Sequence, residues 1–167
     1  GMGTPDQPTP PHIVEKLVEA VQDPKSHRYS QSRGIPGLRK AIAAYYGRRF
    51  GVDVDPETET IVTLGSKEGL ANLSSAITNQ GDVILAPNPS YPIHPFGFII
   101  AGAGVRSIPI EPEEELMRVL RGAVENSSPK PKAVVLNYPN NPTAKVVDLD
   151  FYEQVVDYCL HHGIYIL

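Results

Sequence analysis

Several short stretches of this 167-residue chain carry residue types that could bind or orient a small molecule. One is Ala133-Val-Val-Leu-Asn-Tyr-Pro-Asn-Asn-Pro-Thr-Ala144. Residues 133–136 are an apolar run that reads as a buried strand, and residues 137–143 are polar and turn-forming, so the strand cannot continue. In a parallel α/β sheet the carboxyl end of a strand faces the ligand. Asn140 and Asn141 would then present side-chain amides, each with donors and an acceptor, on a backbone stiffened by two prolines. A turn built by two asparagines with no ligand reads the same way. Gly65-Ser66-Lys67 follows a β-branched run and opens a helical pattern. Free N–H groups and the helix dipole make such a position an anion site, and the Ser66 hydroxyl adds a donor. A plain strand–turn–helix connection is the alternative, and the spacing is not that of a P-loop. Asn88-Pro89-Ser90-Tyr91-Pro92 is a rigid turn whose ring could stack on a planar heterocycle or simply pack against the surface. Tyr29 stands in a polar loop ahead of Gly34-Ile-Pro-Gly-Leu-Arg39 and on its own is a half-exposed loop tyrosine. His94, His161 and His162 have no zinc-site spacing.

The elements that must position these residues follow from periodicity. Residues 1–11 are rich in Pro and Gly and read as an extended loop. Ile13, Leu17, Val18 and Val21 recur at helical spacing over 12–21, and Pro24 ends that helix. A second amphipathic helix covers 37–50, with Leu38, Ile42, Tyr45 and Tyr46 on one side and Arg39, Lys40, Arg48 and Arg49 on a solvated face. Strands are predicted near 61–64, 83–86, 104–108, 133–136 and 164–167. Helices are predicted over 68–78, 93–101, 113–126 and 149–162; the third opens with acidic residues, which suits its dipole, and Gly163 caps the last. This alternation predicts an α/β fold, a mostly parallel sheet with helices on both faces. Residues 1–50 are expected outside that sheet as an N-terminal segment, and 51–167 form the sheet-bearing part. The chain closes on Gly163-Ile-Tyr-Ile-Leu167, a strand with nothing after it, as though cut.

Composition sets outer bounds. Apolar residues make up 41% and charged residues 20% of the chain, ordinary for a globular protein with a real core. A formal charge of −4 leaves no electrostatic footprint for nucleic acid. No apolar run approaches bilayer length, and no basic-then-apolar leader is present, so a cytoplasmic protein without membrane partners is expected. The single Cys159 excludes an intrachain disulfide and reads as a buried small side chain.

Tyr138-Pro-Asn-Asn-Pro-Thr-Ala144 closely resembles the Asn-Pro-Thr-Gly loop of the class I/II aminotransferases, the fold-type I enzymes that use pyridoxal 5'-phosphate. Ala144 stands where that family most often has Gly, which would ease a turn with positive φ. Gly65-Ser66-Lys67 resembles the segment whose main-chain amides and hydroxyl hold the cofactor phosphate, and Asn88-Pro-Ser-Tyr91 the loop whose ring lies on the pyridine ring. The 29–39 segment is similar to one whose Tyr reaches the phosphate of the neighbouring subunit. Gly1-Met-Gly-Thr-Pro-Asp6, which could also begin as an expression scar, is similar to a native start found in several of these enzymes. His27-Arg-Tyr-Ser30 and Gly65-Ser-Lys-Glu-Gly69 look most like the branch with LL-diaminopimelate and alanine-type aminotransferases.

The resemblance implies a fold-type I large domain, in part, with cofactor contacts from Gly65, Ser66, Lys67, Tyr91, Asn141 and Tyr29. It implies that Asn141 bonds the phenolic oxygen and that Gly3 lies near the substrate carboxylate. It also implies cis bonds at Asn88–Pro89 and Asn141–Pro142, and a homodimer with shared sites whose N-terminal segment lies near the small domain and dimer interface. The substrates would be an amino acid and a 2-oxo acid. The Schiff-base lysine, the aspartate that pairs with the pyridine nitrogen and two arginines are expected beyond Leu167, so Lys67 is not the catalytic lysine and this stretch alone should not turn over. A Cβ–S lyase of the same fold and a non-catalytic aminotransferase-like binding domain are the rival readings.

Overall fold

The computed structural model describes residues 3–167; Gly1 and Met2 of the starting motif lie outside the described residues. The chain divides into two compact units, Gly1–Val62 and Thr63–Leu167.

In the first unit, proline opens both helices. α1 is Pro11–Gln22 and α2 is Pro36–Phe50, each with Pro in its first turn, where the missing N–H costs nothing. Asp23 ends α1, and its side chain accepts the Lys25 N–H at 2.9 Å to start a short 3-10 turn, Pro24–Ser26. Gly51, at φ +67, closes α2 in the left-handed conformation. α1 buries none of its residues; Ile13, Leu17, Val18 and Val21 are half exposed or more. Arg39 departs from its expected place on a solvated face. It is buried, its guanidinium donating to the Gly34 carbonyl, to the Pro56 carbonyl at 2.9 Å and to Glu57 Oε2 at 2.8 Å. Planar, fork-shaped donors suit that convergence of two carbonyls and a carboxylate. Lys40, Arg48 and Arg49 are exposed as expected. Gly34 has φ +83, and a Cβ there would lie 2.2 Å from Val62 Cγ2, so the close approach of these two segments requires glycine.

The strand expected near 61–64 does not form. Its β-branched residues have the propensity, but a strand exists only as part of a ladder. Among the described residues no strand pairs with it. Val62 N–H donates to the Arg33 carbonyl in a loop, and Ile61 and Leu64 are exposed.

The second unit is built on β1 (Val83–Asn88), β2 (Gly104–Pro109), β3 (Pro131–Val134) and β4 (Tyr165–Ile166). They form one sheet in the order β2-β1-β3-β4, every pair parallel. β3 begins two residues earlier than expected, but the ladder runs on through Val135 N–H to Leu85 O (2.9 Å) and Leu136 N–H to Leu167 O (2.7 Å). Alternation along the strands makes two cores. Ile84, Ala133 and Val135 point to one face, where Phe98, Ala103, Leu70 and Ile77 cover them from α3 (Ser66–Ile77), α4 (Ile93–Ile100) and the turn after α4. Leu85, Ile108 and Val134 point to the other, under Leu116, Leu120 and Val124 of α5 (Glu113–Asn126) and Phe151, Val155 and Cys159 of α6 (Leu149–His162). The bounds of α5 and α6 match their periodicity because each has a clear start signal. Three glutamates open α5, and Asp148 caps α6 by accepting the Phe151 N–H at 3.0 Å. Burial pushes the Cys159 thiol up to about 11, in keeping with its expected role as a packed side chain.

Topology then selects one edge of this sheet. From β1 the chain crosses through α4 to β2 on one side; from β3 it crosses through α6 to β4 on the other, with the helix on the opposite face. Adjacent strands whose crossovers diverge leave a crevice at their carboxyl ends. The loops that leave β1 and β3 there are residues 88–92 and 137–145.

Candidate functional site

α3 packs on α4, and Lys67 near its amino end lies over Tyr91 of the loop after β1, so that end sits at the same edge as the two loops. Its N-cap is Gly65, at φ +90, and no side chain caps it. The first N–H groups of a helix have no intrahelical acceptor, and the dipole there is positive. Glu68, the acidic residue of the first turn, reaches back to accept the Leu64 N–H at 2.7 Å. Ser66 and Lys67 are exposed on this helix end.

Tyr91 is half-buried in the loop after β1, and the Lys67 ammonium lies over its ring, 5.4 Å from the centroid. Tyr91 pushes Lys67 above the usual ammonium range through hydrogen bonding first and charge second. Lys67 is therefore a cation at neutral pH. On the other side the His94 ring meets Tyr91 edge-on at 6.2 Å, and His94 N–H donates to the Tyr91 carbonyl at 3.0 Å. Desolvation lowers the His94 pKa, and its Nδ1 is buried with no partner among the described residues.

The loop after β3 is anchored at both ends. The Tyr138 ring packs edge-on against Phe151 (5.8 Å) and Tyr152 (6.3 Å), and its hydroxyl donates to the Ile110 carbonyl at 3.0 Å. Burial is the main cause that raises the Tyr138 pKa to about 12, so the hydroxyl stays a donor. The two asparagines that the sequence places together at the ligand edge separate in role. Asn141 is exposed, its N–H held by Asn137 Oδ1 at 3.0 Å. Asn140 is buried, its Oδ1 accepting from Thr143 N–H (3.2 Å) and Oγ1 (3.0 Å) and its Nδ2 donating to the Pro89 carbonyl at 3.4 Å. Ala144, at φ +60, keeps the left-handed turn that a glycine would ease, and its N–H donates to the Asn140 carbonyl at 2.8 Å. The peptides Asn88–Pro89 and Asn141–Pro142 are both cis, as expected; so are Tyr138–Pro139, Glu111–Pro112 and Ser128–Pro129.

The second unit thus brings Gly65, Ser66, Lys67, Tyr91 and Asn141 to one sheet edge. Gly3 and Tyr29 belong to the first unit, where both are exposed; among the described residues nothing covers Tyr29. Asn140, Asn137, Tyr138 and His94 are the residues that sequence reading passed over as positioning groups. A doubled asparagine signals a loop, but which amide turns inward depends on what packs beneath it. An uncapped helix end beside an ammonium can hold an anionic group, Tyr91 can cover a planar ring, and the Asn141 amide can bond an oxygen on that ring's edge. That donor set fits an aromatic ring carrying a phosphate. Among the described residues no cluster could hold a metal ion, and no helix is long and apolar enough to cross a membrane.

The family model described as aminotransferase class I and II matches residues 1–167. A putative aminotransferase AatC of Rhizobium meliloti is 60% identical over the whole chain, which covers 41% of that protein. The glutamate-pyruvate aminotransferase AlaC of Escherichia coli is 55% identical over 93% of the chain and 38% of its own length. The solved apo structure of BacF from Bacillus subtilis superposes with a TM-score of 0.88 at 41% identity, over 99% of this chain and 44% of that one. The chain spans about two fifths of the length of the curated relatives it matches.

Proposed function

The chain belongs to the class I and II aminotransferases, and from that membership we propose that it is the cofactor-binding part of an enzyme that moves an amino group between an amino acid and a 2-oxo acid. The cofactor is pyridoxal 5'-phosphate, which supplies an electron sink for the substrate's α-carbon when bound. The observation that carries this reading is the meeting of an uncapped helix end, a cation and an aromatic ring at the switch point of a parallel sheet.

The Gly65 and Ser66 main chain, the Ser66 hydroxyl and the Lys67 ammonium hold the phosphate. Tyr91 covers the ring, with Lys67 and His94 against it to limit its rotation. Asn141 donates its amide to the phenolic oxygen, which favours the ionised form of that oxygen. Gly3 leaves room for the substrate carboxylate. Tyr29 serves the phosphate of a neighbouring subunit in a homodimer. The family resemblance gives the Schiff-base lysine that would hold the cofactor to a part of the enzyme other than these residues. The likeness to AlaC favours glutamate and pyruvate as one substrate pair. A cytoplasmic location accords with one buried, unpaired cysteine.

The test uses the full-length protein. Amino transfer from glutamate to pyruvate should depend on added pyridoxal phosphate, and Tyr91→Ala should weaken cofactor affinity and shift the bound cofactor's absorbance. Unchanged affinity and spectrum in Tyr91→Ala would end the stacking role, and absence of transfer with a panel of amino acids would end the reading.

A further inference from the structure

Few polar residues are buried among those described, and Asn140, 4% exposed, is the one set between the two loops of the candidate site. Its amide orientation is dictated by its neighbours. A backbone N–H, from Thr143, can only donate, so Oδ1 must face it; a carbonyl, from Pro89, can only accept, so Nδ2 must face that. Its own main chain is committed as well, with its N–H donating to Lys145 O and its carbonyl accepting from Ala144, both at 2.8 Å. Asn140 is therefore fastened to its own loop by four bonds and to the other loop by one. That one crosses 51 residues of sequence. Pro89 stands two residues before Tyr91, and Asn140 directly precedes Asn141, so a displacement of this amide reaches both.

We propose that Asn140 is a positioning residue: its buried amide ties the Tyr91 loop to the Asn141 loop and sets the separation of the ring and the amide that face the cofactor. The proposal rests on the reading of the site given above. Asn140 does not touch the cofactor. It acts through Asn141 and Tyr91, which are carried on the loops that leave the paired strands β3 and β1.

Aspartate has the same shape and keeps the acceptor for Thr143, but turns an oxygen toward the Pro89 carbonyl. N140D thus removes the tie between the loops while leaving the loop's internal bonds. In the full-length protein, pyridoxal phosphate titrations of N140D, N141A, Y91A and the double variant N140D/N141A would give affinity and the absorbance maximum of the bound cofactor. N140D should weaken affinity about threefold, about 0.65 kcal/mol, toward the lower end for one hydrogen bond because the contact is long at 3.4 Å. It should move the absorbance maximum in the same sense as N141A. In the double variant, N140D should add a smaller loss to N141A than it causes alone, since only its effect through Tyr91 is left; independent sites would multiply to within about twofold. A thermal midpoint measured without cofactor shows whether N140D folds; if it does not, Asn140→Ser, which can accept from Thr143 but cannot reach Pro89, takes its place with the same expectations. Wild-type affinity and spectrum in the folded variant overturn the proposal, as do losses that multiply in the double variant. If N141A and Y91A themselves change neither affinity nor spectrum, the reading of the site fails and this inference with it.

Discussion

Ala144 shows how a loop can keep its shape without the residue that favours it. A left-handed conformation costs a Cβ-bearing residue about 1–2 kcal/mol, and Ala144 adopts it at φ +60 because its N–H closes the turn onto the Asn140 carbonyl. Ala144→Gly removes that cost but adds freedom to the unfolded chain, about 0.4–1 kcal/mol. The net expectation is a gain of about 0.5–1 kcal/mol, a rise of roughly 1–4 °C in Tm by calorimetry. His94 carries a pH dependence. Burial lowers its pKa, so the folded state favours the neutral ring, and protonation would also put an unmatched N–H at buried Nδ1. Its contribution to stability is present above the unfolded value of about 6.5 and is lost as pH falls below that toward the folded value. Thermal scans between pH 7.5 and 5 should show a downward slope that His94→Gln flattens.

At the scale of elements, the two faces of the sheet have different roles. The α5 and α6 face holds the bulk of the aliphatic core, with Leu120, Val124, Val155 and Cys159 all within 1% of full burial. Leu120→Ala should destabilise by about 2–5 kcal/mol, read from denaturant midpoints with an unchanged m-value. On the other face α3 packs on α4, and a Cβ on Gly97 would come 3.2 Å from Ser74 Oγ. This close approach links α3, whose amino end offers the anion site, to α4, which begins just after Tyr91. The helices were legible as periodic patterns with start and stop residues, and α5 and α6 matched to the residue. The run at 61–64 was not, because its pattern states a propensity and says nothing of a partner. Arg39 was misplaced because helical periodicity names a face without naming what lies against it; here two carbonyls and Glu57 do.

For the whole protein, the role proposed for the fully exposed Tyr29 is in the site of a neighbouring subunit. In a two-fold dimer each site would then draw one hydroxyl from across the interface. Tyr29→Phe in the full-length enzyme should weaken cofactor affinity by about tenfold to somewhat over a hundredfold, the equivalent of one charge-assisted hydrogen bond of about 1.5–3 kcal/mol. Mixing Tyr29→Phe subunits with subunits that lack the cofactor-holding lysine should restore wild-type affinity at the lysine-bearing site. Affinity that stays low in the mixed dimer would place the hydroxyl in its own chain.

Local chemistry wrote much of this protein in plain order. Apolar alternation, acidic helix starts and glycine stops marked the layers, and the residues at 65–67, 88–92 and 137–143 marked the loops that carry ligand-type groups, because turn and cap preferences act within a few residues. Packing determined the rest, since it depends on contacts between residues far apart in sequence. The inward turn of Asn140 toward Pro89, the burial of Arg39, the edge-on approach of His94 to Tyr91 and the failure of 61–64 to become a strand all turn on a partner that no local pattern names.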